Sequence, residues 1–142
     1  MQKMLSRLAV TAGAVTTVVA LTPGVSLAAQ DVMTTCGKTK DSMSDSRVPA
    51  CRGKFFSERK KGTEALYLSD TSSDGRSVAV VYYRYDLKNI GPYYKTVTAG
   101  YYRNKQWTLK MREGTKIRFK VCTAKGGSII SSSCSRYVTG IA

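Results

Sequence analysis

Histidine is absent from this chain, and acidic residues are scarce, with 9 Asp and Glu against 23 Lys and Arg. Without histidine there is no Ser-His-Asp or Cys-His relay and no imidazole-held metal. The few carboxylates offer no pair that the sequence places together, so a glycosidase cannot be argued from it. Of the four cysteines, Cys36, Cys51, Cys122 and Cys134, no two stand two to four residues apart, which excludes the usual zinc spacings. A long apolar run is also missing. The uncharged stretch from Leu8 to Leu21 covers 14 residues, short of the roughly 20 that a membrane helix needs.

That stretch has another use. Lys3 and Arg7 precede it, Pro23-Gly24 ends it, and Ser26-Leu27-Ala28 supplies small residues where a signal peptidase reads. Residues 1–28 are therefore expected to be a secretory signal, with cleavage after Ala28. What remains, residues 29–142, has the length of one domain. An even set of cysteines in an exported chain predicts disulfides. Spacing favours Cys36–Cys51 and Cys122–Cys134, each loop contributing about 3 kcal/mol in the chain-entropy model. A bridged sulfur is not a nucleophile, so a catalytic thiol falls with that assignment. No cofactor is implied, and the expected product is a secreted, extracellular monomer without a transmembrane segment in its mature part.

Residues 29–62 are rich in Ser, Thr, Asp and Lys with little periodicity, and read as an irregular arm held by Cys36–Cys51. From 63 to 142 the texture is β-strand, with turn signals at short intervals. Glu64–Ser69 and Arg76–Tyr85 are strand candidates, the second dense in β-branched and aromatic residues. In it the uncharged set Ala79, Val81, Tyr83 and Tyr85 is placed inward, because Val78, Val80 and Tyr82 lie between Arg76 and Arg84. Tyr94–Tyr102 is a further strand candidate. Trp107, Leu109 and Met111 then alternate with Thr108, Lys110 and Arg112, and Ile117, Phe119 and Val121 alternate with Lys116, Arg118 and Lys120. Period two sends the apolar sets inward.

The link between these last two strands has two readings. A three-residue hairpin at Glu113-Gly114-Thr115 keeps the apolar sets opposed. An arch instead carries the chain from one sheet to the other. The glycine stands in the middle of the loop rather than last, where such a hairpin wants it, and this tips the choice towards the arch. Cys122 cannot oppose Cys134 across a tight turn at Gly126-Gly127, which would set it against Ser131, so that bridge closes a wider loop. The fold class expected is all-β: an immunoglobulin-like antiparallel β-sandwich of about six to eight strands with an irregular N-terminal arm.

The stretch Glu113-Gly-Thr-Lys-Ile-Arg-Phe-Lys-Val-Cys122, with Gly126-Gly-Ser128 and Ser131-Ser-Ser-Cys134 after it, resembles small secreted disulfide-containing proteins of actinobacteria. Asp74-Gly-Arg-Ser-Val-Ala-Val, upstream, is similar to them as well. The resemblance covers about residues 74–138. It implies export and a compact β-sandwich, and it carries no defined activity or site residue.

Charge is unevenly spread. Residues 29–86 hold 10 basic and 8 acidic residues, whereas 87–142 hold 11 basic residues and Glu113 alone. On a hairpin face, Lys110, Arg112, Lys116, Arg118 and Lys120 would form one stripe; across an arch they divide between two faces. With Arg84 and Arg103 they are the candidate binding residues for an anionic polymer, whether wall polymer, acidic polysaccharide or nucleic acid. Six of the nine tyrosines occur as Tyr82-Tyr83, Tyr93-Tyr94 and Tyr101-Tyr102, and a strand would turn one ring of each doublet outward. A second basic-aromatic cluster, Arg52-Gly-Lys-Phe55-Phe56 with Arg59-Lys60-Lys61, lies in the arm, where Phe55-Phe56 is read as plugging the open end of the core. Asp70, Ser72, Asp74 and Gly75 match the first half of a calcium loop, but Val81 stands where the bidentate Glu belongs and a strand follows. Ser57-Glu-Arg-Lys60 fits Ser-x-x-Lys by chance, without the companion motifs of such enzymes. The function expected is a secreted non-enzymatic module that binds through a basic, Tyr-containing surface. An inhibitor or effector of another protein, using the loop Lys125–Ser133, is the alternative, and a small carboxylate hydrolase the second.

Overall fold

The computed structural model describes residues 28–40, 47–60 and 62–142. Residues 1–27 of the expected signal peptide and Lys61 fall outside them. Nine strands follow in chain order: β1 (Val32–Lys40), β2 (Arg47–Lys60), β3 (Thr63–Asp70), β4 (Ser77–Arg84), β5 (Tyr93–Val97), β6 (Asn104–Leu109), β7 (Lys116–Lys125), β8 (Ser128–Ile129) and β9 (Val138–Ile141). They form two antiparallel sheets. The first has the order β1-β2-β3-β6; the second runs β5-β4-β7, with β8 and β9 on separate stretches of the far edge of β7. Between the sheets lies one core. Phe55, Leu66, Leu68 and Leu109 face Val78, Val80, Tyr82, Ile117, Phe119 and Val121, and Trp107 and Met111 pack against them.

The sandwich is as the alternation predicts, and the arch is found: β6 pairs with β3, and β7 pairs with β4 in the opposite sheet. The strand order is not that of an immunoglobulin constant domain, whose first sheet takes strands one, two, five and four. Here the first sheet takes strands one, two, three and six.

Two expectations are corrected. The N-terminal segment is no irregular arm, because β1 and β2 are long strands that pair from Val32↔Phe55 to Lys40↔Arg47 and build half of the first sheet. Their period is hidden because Cys36, Cys51 and Gly53 occupy inward positions where large apolar residues would have marked it. The faces of β4 are also reversed. Val78, Val80 and Tyr82 enter the core, while Tyr83 leans on Tyr137 outside and Tyr85 is 45% exposed. Arg84 shares the inward face, but it sits at the strand end and reaches Asp86 at the sandwich rim. A terminal charge therefore says nothing about the face behind it.

Both disulfides form as spaced, Cys36–Cys51 joining β1 to β2 and Cys122–Cys134 joining β7 to the chain beyond β8. The Gly126-Gly127 turn is tight, pairing Lys125 with Ser128. A short 3-10 turn at Ser131–Ser133 then brings Cys134 back to Cys122, which reconciles the tight turn with the wider loop. Among the described residues no helix is long and apolar enough to cross a membrane.

Candidate functional site

The seven basic candidates lie in three places. Lys116, Arg118 and Lys120 share the outer face of the second sheet. There the Arg118 guanidinium stands 4.3 Å and the Lys120 ammonium 4.9 Å from the centre of the Tyr137 ring, which also meets Tyr83 at 5.9 Å. Hydrogen bonding to Tyr137 pushes the Tyr83 hydroxyl above its ordinary pKa. Lys110 and Arg112 belong to the arch at one end of the sandwich, and Arg103 to the β5–β6 loop at the other. Arg84 is already engaged: Nε and Nη2 donate to the two Asp86 oxygens at 3.1 and 2.6 Å, and Nη2 also donates to the Lys110 carbonyl at 2.6 Å. A bidentate pair of this kind leaves little charge for a ligand. The arch thus removes the single stripe.

A concave surface lies elsewhere, on the outer face of the first sheet. Alternation along β2 sends Gly53 and Phe55 inward and Arg52, Lys54 and Phe56 outward. Cross-strand register then lays Met33, Lys54, Tyr67 and Gln106 in one row over all four strands, with Arg52 and Asn104 in the next. These side chains, with Phe56 and Arg59, line a groove of about 500 Å³. Lys54 Nζ lies 4.2 Å and the Arg59 guanidinium 5.3 Å from the centre of the Phe56 ring. Cations over a ring in this way gain about 0.5–1 kcal/mol at exposed sites and are held in place. Asp31 flanks the groove. It accepts from Ser57 N and Oγ at 2.8 and 2.9 Å and pairs with Lys54 at 3.6 Å. The hydrogen bond from Ser57 N, above all, holds its carboxyl below the ordinary aspartate value. Arg52 and Arg59 pair with no carboxylate among the described residues and stay available to an anion.

At Arg52 the groove adjoins a smaller hollow of about 240 Å³, lined by Val48, Pro49, Thr71, Tyr101 and Tyr102. The third tyrosine doublet is here, in a turn rather than a strand, with ring centres 4.1 Å apart. Tyr102 adopts φ 60°, a conformation unusual for a bulky residue. Buried Asp70 holds the turn: its Oδ2 accepts from Gly100 N at 3.0 Å and its carbonyl from Tyr102 N at 2.9 Å. The other doublets obey strand alternation, with Tyr82 buried and Tyr94 57% exposed.

Of the groove, Arg52, Lys54, Phe56 and Arg59 were visible in the sequence as a cluster. Phe55 fills the core as expected, but Phe56 does not join it. Met33, Tyr67, Asn104 and Gln106 carry no local signal; only the pairing of β6 with β3 brings the last two in. No protein-family model matches the chain, and no curated protein or solved structure matches it.

Proposed function

We propose that this protein is a secreted, non-enzymatic binding module that takes an anionic polymer of the cell exterior in the groove of its first sheet. The observation that carries this reading is the groove itself, a concave surface in which Arg52 and Arg59, without a carboxylate partner among the described residues, stand beside Phe56 and Tyr67. Concavity with a few convergent polar groups is what distinguishes a site from a merely charged surface. The polymer favoured is a flexible chain of phosphate, sulfate or carboxylate groups rather than a nucleic acid. Lys54 and Arg59 stand over a face of the Phe56 ring that a base would need for stacking. Export is supported by the leader-like start of the sequence and by the two disulfides, and the resemblance to small actinobacterial secreted proteins rests on the residues quoted above. The protein acts as a monomer in this reading.

The test is a binding panel of wall teichoic acid, heparin, DNA and chitin. It is run between roughly 50 and 200 mM salt, the range over which counterion release weakens polyanion binding steeply. Teichoic acid or heparin should bind at low salt and release as salt rises, and neutral chitin should not bind. Failure of every polyanion at low salt overturns the proposal. Polyanion binding that is insensitive to salt overturns it as well.

A further inference from the structure

The loop from β3 to β4, Asp70-Thr-Ser-Ser-Asp-Gly75, is not used by the groove and carries a feature that packing does not explain. Three buried side-chain oxygens lack any hydrogen-bond partner among the described residues: Ser72 Oγ, Asp74 Oδ2 and Thr123 Oγ1. Two of them are in this loop, at the third and fifth positions counted from Asp70. Ser72 is 1% exposed and so is Asp70. An unsatisfied buried oxygen costs about 1–3 kcal/mol, more when it is charged. Ser72 Oγ, a hydroxyl that can donate as well as accept, and Asp74 Oδ2 thus stand without a partner among the described residues, close in sequence to the carboxylate of Asp70.

Backbone amides donate to the two carboxylates and shape the loop. Asp70 Oδ1 accepts from Ser72 N at 3.2 Å, Asp70 Oδ2 from Gly100 N at 3.0 Å, and Asp74 Oδ1 from Arg76 N at 2.9 Å. Each hydrogen bond leaves lone pairs over, and in Asp74 the second oxygen is left over entirely. Burial, with the charge of Asp74 adding to it, raises the Asp70 carboxyl above its ordinary value. Gly75 adopts φ 71°, which a non-glycine residue would resist and which turns the chain back towards β4.

We infer that the β3–β4 loop binds a calcium ion through the carboxylates of Asp70 and Asp74 and the hydroxyl of Ser72. Hard oxygen donors of mixed type, on an irregular loop, suit calcium, which accepts six to eight ligands in flexible geometry; magnesium demands a stricter octahedron. The missing twelfth-position Glu and the strand that follows bar a helix-loop-helix site, but not a loop site of the modest affinity, Kd about 10⁻⁴–10⁻³ M, that extracellular modules show. The ion would join two segments, since Asp70 also carries the turn bearing Tyr101 and Tyr102.

Titration of the full, disulfide-intact protein with calcium chloride, followed by calorimetry and by thermal unfolding, tests this. Saturating calcium should raise the unfolding midpoint by mass action, and an equal concentration of magnesium should raise it less. Asp74→Asn keeps the turn-forming oxygen while removing the charge, and should weaken calcium binding at least tenfold. Ser72→Ala should weaken it less and stabilise the calcium-free protein by removing an unsatisfied group. No heat and no midpoint shift at millimolar calcium in the unmodified protein overturns the inference. So does an Asp74→Asn protein that folds and binds calcium as the unmodified one does.

Discussion

Gly53 of β2 lies so close to Val121 of β7 that a β-carbon on the glycine would sit 2.4 Å from the valine Cγ1. The two residues belong to opposite sheets, so the contact measures how closely the sandwich closes. Gly53→Ala should destabilise the protein by about 1–3 kcal/mol, the usual cost of overpacking a core. Val121→Ala removes the obstructing methyl groups and should relieve most of that penalty, giving a coupling energy well outside additivity in a double-mutant cycle. Additive losses would contradict the inter-sheet contact.

Gly140 of β9 makes the same kind of approach to Phe55, whose Cδ1 would be 2.3 Å from an added β-carbon. Gly140→Ala is expected to cost as much as Gly53→Ala. Phe55→Leu should suppress the penalty, although it loses packing of its own. Chemical denaturation of the seven proteins that make up the two cycles, compared at constant m-value, checks both.

The two disulfides close loops with sequence separations of 15 and 12. Replacing either pair by serine should lower stability by about 3 kcal/mol in the chain-entropy account. Peptide mapping of the unreduced protein should return Cys36–Cys51 and Cys122–Cys134. The pair Cys122–Cys134 also anchors the 3-10 turn, from which Ser133 Oγ accepts a hydrogen bond from Thr123 N at 2.9 Å. Its loss should therefore expose the amide of Thr123 to solvent exchange as well.

How far the sequence carried the fold depends on what each strand uses as its inward residues. β6 and β7 announce themselves because Trp107, Leu109, Ile117, Phe119 and Val121 are large and alternate with charged or polar residues. Even the arch between them is hinted at by where Gly114 stands, although the hairpin stays open until β6 is seen to pair with β3. In β1 and β2, by contrast, Cys36, Cys51 and Gly53 give the alternation almost no hydrophobic amplitude, and two long strands pass for a loop. The site was half legible for a related reason. Arg52, Lys54, Phe56 and Arg59 lie on one strand and form a cluster at sequence level. Tyr67 and Gln106 reach them only through register across three strands, which no local pattern encodes. Lys110 and Arg112 were grouped with Lys116, Arg118 and Lys120 by proximity in sequence, which the arch undoes.

Asp70 and Asp31 should leave opposite marks on the acid stability profile. Burial raises the folded-state pKa of Asp70 above the ordinary 3.8. Between 3.8 and that raised value the folded state holds more protons than the unfolded, so stability falls as pH rises through the window. Hydrogen bonding from Ser57 lowers Asp31 below 3.8; its contribution is present above 3.8 and is lost as pH falls through the lowered value. In chelator, so that no cation answers Asp70, Asp70→Asn should flatten the decline above pH 3.8, and Asp31→Asn should flatten the loss below it. Thermal unfolding across the acid range reads both slopes, and an Asp70→Asn profile as steep as the unmodified one would contradict the assignment.

The location of polymer binding follows from which cations are unpaired. On the first sheet Arg52 and Arg59 line a concave groove and have no carboxylate partner among the described residues, whereas Lys54 is partly answered by Asp31. On the second sheet Arg118 and Lys120 gather over Tyr137 on an outer sheet face. Each cation that contacts the polymer adds about one to the slope of log affinity against log salt. Arg52→Gln with Arg59→Gln should therefore reduce that slope by about two and weaken binding most at low salt. Arg118→Gln with Lys120→Gln removes the same formal charge from the opposite face. If net charge alone governs association, the two double variants will weaken binding equally. If the groove is the site, the first will lose binding while the second changes mainly the rate of encounter, through the weaker long-range field. Equilibrium affinity and association rate, measured for both variants on one polymer at two salt concentrations, separate these outcomes.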